Sequence, residues 1–322
     1  MKLINPLQMI DWPIKKFLII IFACQLLFLG SISLDFIGLK IPMIRPLICI
    51  IYLSFIPGIL ILRILKLHRL GSIKNLLYST GLSLSLLMFM GFFMNMCYPA
   101  IGIKNPISTI MLTISVSFLV LLLSALCYLF DRNFSDFDSI FQNVVFSIPS
   151  LFLCLIPLLT IIGVYIMNLY NNNSLLLTVI LLISSVIVLV ILDFIPKNLY
   201  PLAIFVTSIS LLFHSSLISM YITGWDIQFE YYEASKVINN SIWNPGIFSN
   251  INAMLSIVMI APIYSILSNL SITWVFKIIY PAIFSLVPVG LYLIFKKQTD
   301  YKIAFMSVFF FMSVFTYYTE ML

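Results

Sequence analysis

The stretch that decides the fold is residues 175–193, LLLTVILLISSVIVLVILD, in which the only charged residue, Asp193, comes last. A helix rises about 1.5 Å per residue, so about 20 apolar residues cross the roughly 30 Å of hydrocarbon in a bilayer. This run therefore predicts a helix that spans a membrane.

Similar runs recur along the whole chain of 322 residues, which is 62% hydrophobic and 9% charged, with a mean hydropathy of +1.15. In soluble domains, charged residues make up about a quarter of the sequence. The runs have the length of spanning helices and lack strand-like alternation, so we predict an all-α, polytopic transmembrane helical bundle. The predicted spans are residues 17–34, 46–65, 76–98, 108–130, 146–169, 175–193, 201–222, 273–295 and 303–319.

A further run, residues 252–268, is only about 17 residues long and contains Pro262, which kinks a helix. If the N-terminus is cytoplasmic and this run does not cross, twelve of the seventeen Lys and Arg residues lie inside and five outside; if it crosses, the division is ten to seven. Basic residues favour the cytoplasmic side. We therefore expect nine spans, one external juxtamembrane helix, and residues 223–273 on the outer face of the cell membrane.

The net charge of +6 is explained by basic residues beside the spans, so we expect membrane lipids and no nucleic acid as partners. The five cysteines are scattered singly and do not predict a disulfide framework or a thiolate metal site. The sequence contains no phosphate-cradling glycine motif and no serine nucleophile motif. ATP-driven transport and hydrolase chemistry therefore have no support.

One polar segment stands out, residues 223–250, TGWDIQFEYYEASKVINNSIWNPGIFSN. It contains Asp226, Glu230 and Glu233, and their spacing of four and then three places the carboxylates on one face of a helix. Asp226 follows a span directly, where a carboxylate can deprotonate an acceptor hydroxyl or hold a divalent cation. The plainer alternative is that Asp226 caps the helix and all three acids face water.

The stretch WDIQFEYYEASKVINNSIWNP resembles the first external loop of the GT-C class of polytopic glycosyltransferases. These enzymes transfer a sugar from a polyprenyl-phosphate donor outside the membrane. The matching features are Asp226, residues 231–234, residues 243–245, the proline-containing stretch 261–264 and the basic span end at 291–297. The resemblance implies that Asp226 is the catalytic base or a ligand of Mg²⁺ or Mn²⁺, with Glu230 or Glu233 as a supporting acid. Many members have two adjacent acids where this chain has Asp226-Ile227.

Three further residues are candidates for binding a donor phosphate or substrate. Arg45 and Lys277 lie near the predicted outer face, where a cation suits a lipid-linked phosphate, although such side chains also extend to lipid headgroups. His214 shares a helix face with Thr207 and Ser210. Ionisable residues inside spans often mark functional sites, and the alternative is hydrogen bonding between helices.

Residues 1–195 form a predicted six-span module, similar to one in a chiefly archaeal group of multispanning proteins of unknown function. Residues 196–322 form the predicted start of a GT-C-like core. The chain stops where a span reaches the outer face, so we expect it to be the front portion of a longer protein, whose missing C-terminal part is a partner. The functional hypothesis is a glycosyltransferase using a polyprenyl-phosphate sugar. The alternative is a non-enzymatic protein, either a transporter or flippase subunit or an assembly scaffold.

Overall fold

The computed structural model describes residues 5–319 except residues 40, 133 and 135–146. Residue 146, the first of one predicted span, lies outside the described residues. Helix is the only regular secondary structure in the part described. The helices are α1 (Ile14–Phe36), α2 (Ile44–Ile64), α3 (Ser72–Ala100), α4 (Thr109–Asp131), α5 (Ile148–Tyr170), α6 (Ser174–Ile191), α7 (Tyr200–Ser216), α8 (Ile227–Asn240), α9 (Ser256–Ser268), α10 (Ile272–Phe295), α11 (Tyr301–Ser313) and α12 (Phe315–Thr319).

Eight helices in the described part of the chain are long and apolar enough to cross a membrane, namely α1 to α7 and α10. The short 3-10 turn Lys197–Leu199 continues directly into α7 and adds to its length. This result confirms the predicted all-α polytopic bundle and a multi-pass membrane protein.

The two remaining apolar segments are shorter than a span. α9 has 13 residues and opens with a π-helical turn, Ser256–Ile260, just ahead of Pro262. Proline has no N–H and cannot continue the regular hydrogen-bond ladder, which accounts for the local change in winding. The run predicted at 303–319 is divided into α11 and α12 by Val314, whose backbone is extended at φ −67° and ψ 130°.

The chain forms two compact units, each built from two separate stretches. The first unit comprises Met1–Asn143 with Phe229–Val275, and the second comprises Val144–Gln228 with Phe276–Leu322. These units do not coincide with the two domains expected from the sequence, whose boundary between residues 195 and 196 stays a prediction.

In the first unit, α2 is the central helix and contacts α1, α3, α4 and α9. Its approach to α3 is close because Gly58 has no side chain. A Cβ added at Gly58 would stand 1.9 Å from the carbonyl oxygen of Ser79 and 2.8 Å from Ser83 Oγ. The Gly58 N–H also donates to Ser83 Oγ at 2.7 Å. Small residues permit this kind of helix contact in membranes, where packing rather than the hydrophobic effect drives association.

In the second unit, α7 holds the central place, contacting α5, α11, α12 and the part of α10 that follows Val275. Its buried positions are mostly apolar or small, and they include Ala203, Thr207, Ser208 and Ser210. Ser208 Oγ and the hydroxyl of Tyr317 form a buried hydrogen bond between α7 and α12. This bond holds α12 against the centre of the unit.

We expect Gly58→Ala to destabilise the first unit, because the new methyl group overlaps the backbone of α3. Overpacking of this kind costs about 1–3 kcal/mol. The matched control is Gly81→Ala on α3, where an added Cβ meets no atom within 4 Å. Thermal unfolding in detergent should show a lower Tm for Gly58→Ala only, and equal Tm values for the two variants would contradict this packing.

Candidate functional site

The three acidic residues of the polar segment have different environments. α8 begins at Ile227, so Asp226 is the last residue before the helix, and its side chain is exposed. Glu230 is half-buried in the first turn. Glu233 is only 8% exposed and accepts a hydrogen bond from Lys236 Nζ at 2.9 Å. Asp226 is thus the carboxylate most open to solvent.

Glu233 is buried because it lies beside the apolar side of α8. Ala234 and Val237 are 0% and 3% exposed, while Tyr232 faces outward. Lys236 lies three residues after Glu233, and its Nζ also lies over the Tyr232 ring, 4.9 Å from the ring centroid. Ion pairs at this spacing support a helix. Glu233 therefore has a structural use within α8.

Lys277 fixes the chain between α7 and the polar segment. Its side chain is buried, and Nζ donates to the carbonyl oxygens of Ser216 and Ser219, both at 2.6 Å. Ser216 Oγ in turn donates to the Lys277 carbonyl at 2.9 Å. Ser216 is the last residue of α7, where carbonyls lack helical partners and attract a cation. Lys277 therefore holds the end of α7 and the carbonyl of Ser219, at the beginning of the segment that leads to Asp226.

Arg45 occupies the C-terminal end of α9 in the same manner. Nε donates to the Leu267 carbonyl at 2.7 Å and Nη2 donates to the Ile266 carbonyl at 2.9 Å. Nη1 forms an ion pair with Asp35 at 2.6 Å. The residue that follows α9, Asn269, has a left-handed backbone conformation with φ 58°. The guanidinium thus satisfies two carbonyls of the last turn of α9 and ties them to the end of α1.

His214 lines a cavity of about 270 Å³ in the second unit. The polar residues of the wall are Thr207 and His214 of α7, Ser184 of α6, Ser313 of α11 and Tyr318 of α12. His214 and Thr207, expected on one face of a helix, do share this cavity. Ser210, placed on the same face by the sequence, instead donates to the Val206 carbonyl of its own helix at 2.6 Å.

Two asparagines that the sequence reasoning missed organise the loop after α8. The side chain of Asn95, on α3, accepts from the Trp243 N–H and donates to the Trp243 carbonyl, both at 2.8 Å. The indole N–H of Trp243 donates to the carbonyl and side-chain oxygens of Asn252 at 3.1 and 3.0 Å. The available signal for Asn95 was that it is the one amide side chain within the predicted span of residues 76–98.

The expected divalent cation stays a prediction. Among the residues that the structure describes, no three His, Cys, Asp or Glu side chains are grouped so that they could hold a metal ion. Divalent cations such as Mg²⁺ take several oxygen ligands. Asp226 is one exposed carboxylate, and Glu233 is paired with Lys236.

We expect Arg45→Met to destabilise the first unit even without any substrate, because it removes the cation that pairs with Asp35 and the guanidinium hydrogen bonds to the carbonyls of Ile266 and Leu267. Breaking a fully buried ion pair from one side costs about 3–5 kcal/mol, and we expect a smaller loss here because Asp35 is only part-buried. Lys104→Met serves as the control, since Lys104 is an exposed cation. A purified Arg45→Met variant with the Tm of the Lys104→Met variant would mean that Arg45 is free for another use, such as phosphate binding.

Comparison of the chain with protein-family models, with curated proteins and with solved structures gave no match. The resemblance to GT-C glycosyltransferases therefore rests on the sequence pattern of residues 196–322 alone. The fold itself supports a helical, multi-pass membrane protein.

Proposed function

We propose that this chain is a GT-C-like membrane glycosyltransferase that takes its sugar from a polyprenyl-phosphate donor at the outer membrane face. The supporting observation is the setting of Asp226. This exposed carboxylate stands at the start of α8, at the end of a segment held in place by the buried side chain of Lys277. A carboxylate that is open to water at the start of a helix suits a base that meets a hydroxyl of an acceptor glycan, lipid or protein.

The chemistry needs one base and little else from the protein. Asp226 accepts the proton of the acceptor hydroxyl while the acceptor oxygen bonds to the anomeric carbon of the sugar. The bond from that carbon to the phosphate oxygen breaks, and its electron pair leaves with the polyprenyl phosphate. Because the leaving group is already an anion, it needs no protonation by an acid.

Glu230 and Glu233 are less suited to the role of base. Glu230 is half-buried, and Glu233 is held by Lys236. In this proposal they support α8, and no step passes through a metal ion. Trp225, beside Asp226, is 86% exposed. An aromatic ring in that place suits the interface between lipid and water, where the donor headgroup would lie.

A second candidate function is a non-enzymatic protein that handles lipids. The observation that favours it is the cavity at His214, which lies along the spanning helices α6 and α7. Such a cavity can take up part of a lipid without any chemical step. The two candidates are separable, because Asp226 is not among the residues that line this cavity.

We expect Asp226→Asn to lower sugar transfer by about 100-fold or more, because the amide cannot accept the proton. Membranes containing the full chain would be supplied with a panel of polyprenyl phosphates carrying radiolabelled hexoses, and labelled acceptor would be counted. Asp193→Asn is the control, since Asp193 is an exposed acid in a surface ion pair with Lys302, worth little to stability. Transfer by Asp226→Asn at the wild-type rate would refute the role of Asp226, and no transfer by the wild type would refute the proposed function.

The proposal also includes a topology with the N-terminus in the cytoplasm and residues 223–273 outside. We expect Asn250→Cys to react with a membrane-impermeant maleimide added to intact cells, and Gln298→Cys to react only after the membrane is opened. Both positions are exposed. Wild-type protein gives the background from the five native cysteines. Labelling of both positions in intact cells would show that α9 crosses the membrane and that this topology is wrong.

A further inference from the structure

The cavity of about 270 Å³ in the second unit has polar groups inside an otherwise apolar wall. Two of its hydroxyls are already used, because Ser184 donates to the Ile180 carbonyl at 2.9 Å and Ser313 donates to the Phe310 carbonyl at 2.7 Å. These two hydroxyls can still accept hydrogen bonds, and the other polar residues of the wall are Thr207, His214 and Tyr318.

Thr207 is the most informative of these residues. Its side chain is 0% exposed, and Oγ1 has no hydrogen-bond partner in the described part of the chain. Threonines in the other apolar helices behave differently, since Thr113 and Thr160 donate to the carbonyl four residues earlier at 2.7 and 2.9 Å. That backbone partner is normally within reach of a helical threonine. Burying a hydroxyl without a partner costs free energy, so this one suits a ligand.

His214 lies two helical turns after Thr207, about 10 Å along α7 at 1.5 Å per residue. A neutral imidazole donates with one ring nitrogen and accepts with the other, and the Tyr318 hydroxyl can do both. None of the ten lining residues is Lys, Arg, Asp or Glu. The wall therefore offers hydrogen bonds and no fixed countercharge, which favours an uncharged ligand over a phosphate.

The size and position of the cavity indicate which part of a ligand enters it. Cavities that enclose whole drug-sized molecules measure about 300–1,000 Å³, so this one holds a small polar portion. Its wall includes Ile180, which is 40% exposed, and Ser184, which is also exposed, both on the spanning helix α6. An opening there faces the lipid, so an attached hydrocarbon chain can remain in the bilayer.

We propose that this cavity binds the hydroxyl-bearing end of a neutral lipid of the acylglycerol class, with Thr207 as a hydrogen-bonding partner. One oxygen of the ligand forms a hydrogen bond with Thr207 Oγ1. A second oxygen forms a hydrogen bond with His214 or Tyr318. The acyl chain leaves the cavity past Ile180 and Ser184. This binding does not depend on Asp226 or on sugar transfer.

The test uses the purified full chain in lipid nanodiscs and a photoactivatable monoacylglycerol. We expect labelling on residues 200–216 and 301–319, and we expect Thr207→Val to weaken labelling about three- to tenfold, as loss of one hydrogen bond predicts. The matched control is Thr160→Val, the same change at a buried threonine of α5 whose hydroxyl bonds its own helix. It should label like the wild type.

A second arm compares monoacylglycerol with lysophosphatidic acid, which carries the same chain and a phosphate. Monoacylglycerol should displace the photoprobe from the wild type at several-fold lower concentration. Better displacement by lysophosphatidic acid would overturn the inference that the ligand is neutral. Wild-type labelling that maps outside α6, α7, α11 and α12, or equal labelling of Thr207→Val and Thr160→Val, would overturn the site itself.

Discussion

The rest of the structure depends on one constraint, the pairing of backbone polar groups where helices end in apolar surroundings. Lipid offers no hydrogen bonds, so carbonyls in the last turn of a helix need partners from the protein. The chain meets this need with its few long polar side chains. Arg45 bonds two carbonyls of α9, and Lys277 bonds carbonyls at the end of α7.

This use of polar side chains explains which parts of the fold were predictable. Each spanning helix carries its own signal, a continuous apolar run of sufficient length, and needs no knowledge of its neighbours. The shortness of α9 was readable too, because Pro262 is a local signal. The break at Val314 was not, since no Gly or Pro marks it. Hydropathy does not predict that break, because it lies inside the predicted span of residues 303–319. A tertiary contact, the hydrogen bond between Ser208 and Tyr317, holds α12 in place.

The candidate site was less predictable for a related reason. A sequence shows that Arg45 is a rare cation in an apolar chain, but its partners at 266 and 267 are backbone carbonyls, which every residue has. Residue type therefore gave no hint of that contact across more than 200 positions. Lys277 follows the same rule with Ser216. Charged residues near spans often mark substrate sites. The contacts observed for Arg45 and Lys277 are instead with backbone carbonyls of this chain.

Asp226 and Thr207 differ from the polar residues that complete helix ends. A side chain that completes a helix end cannot be removed without loss of stability, so it has little freedom to exchange one partner for another. Asp226 is open to water, and Thr207 has left the carbonyl that would ordinarily bind its hydroxyl. Both therefore retain hydrogen-bonding capacity, Asp226 at an exposed position and Thr207 at a buried one. The first suits an acceptor that arrives from water, and the second suits a ligand that arrives within the bilayer.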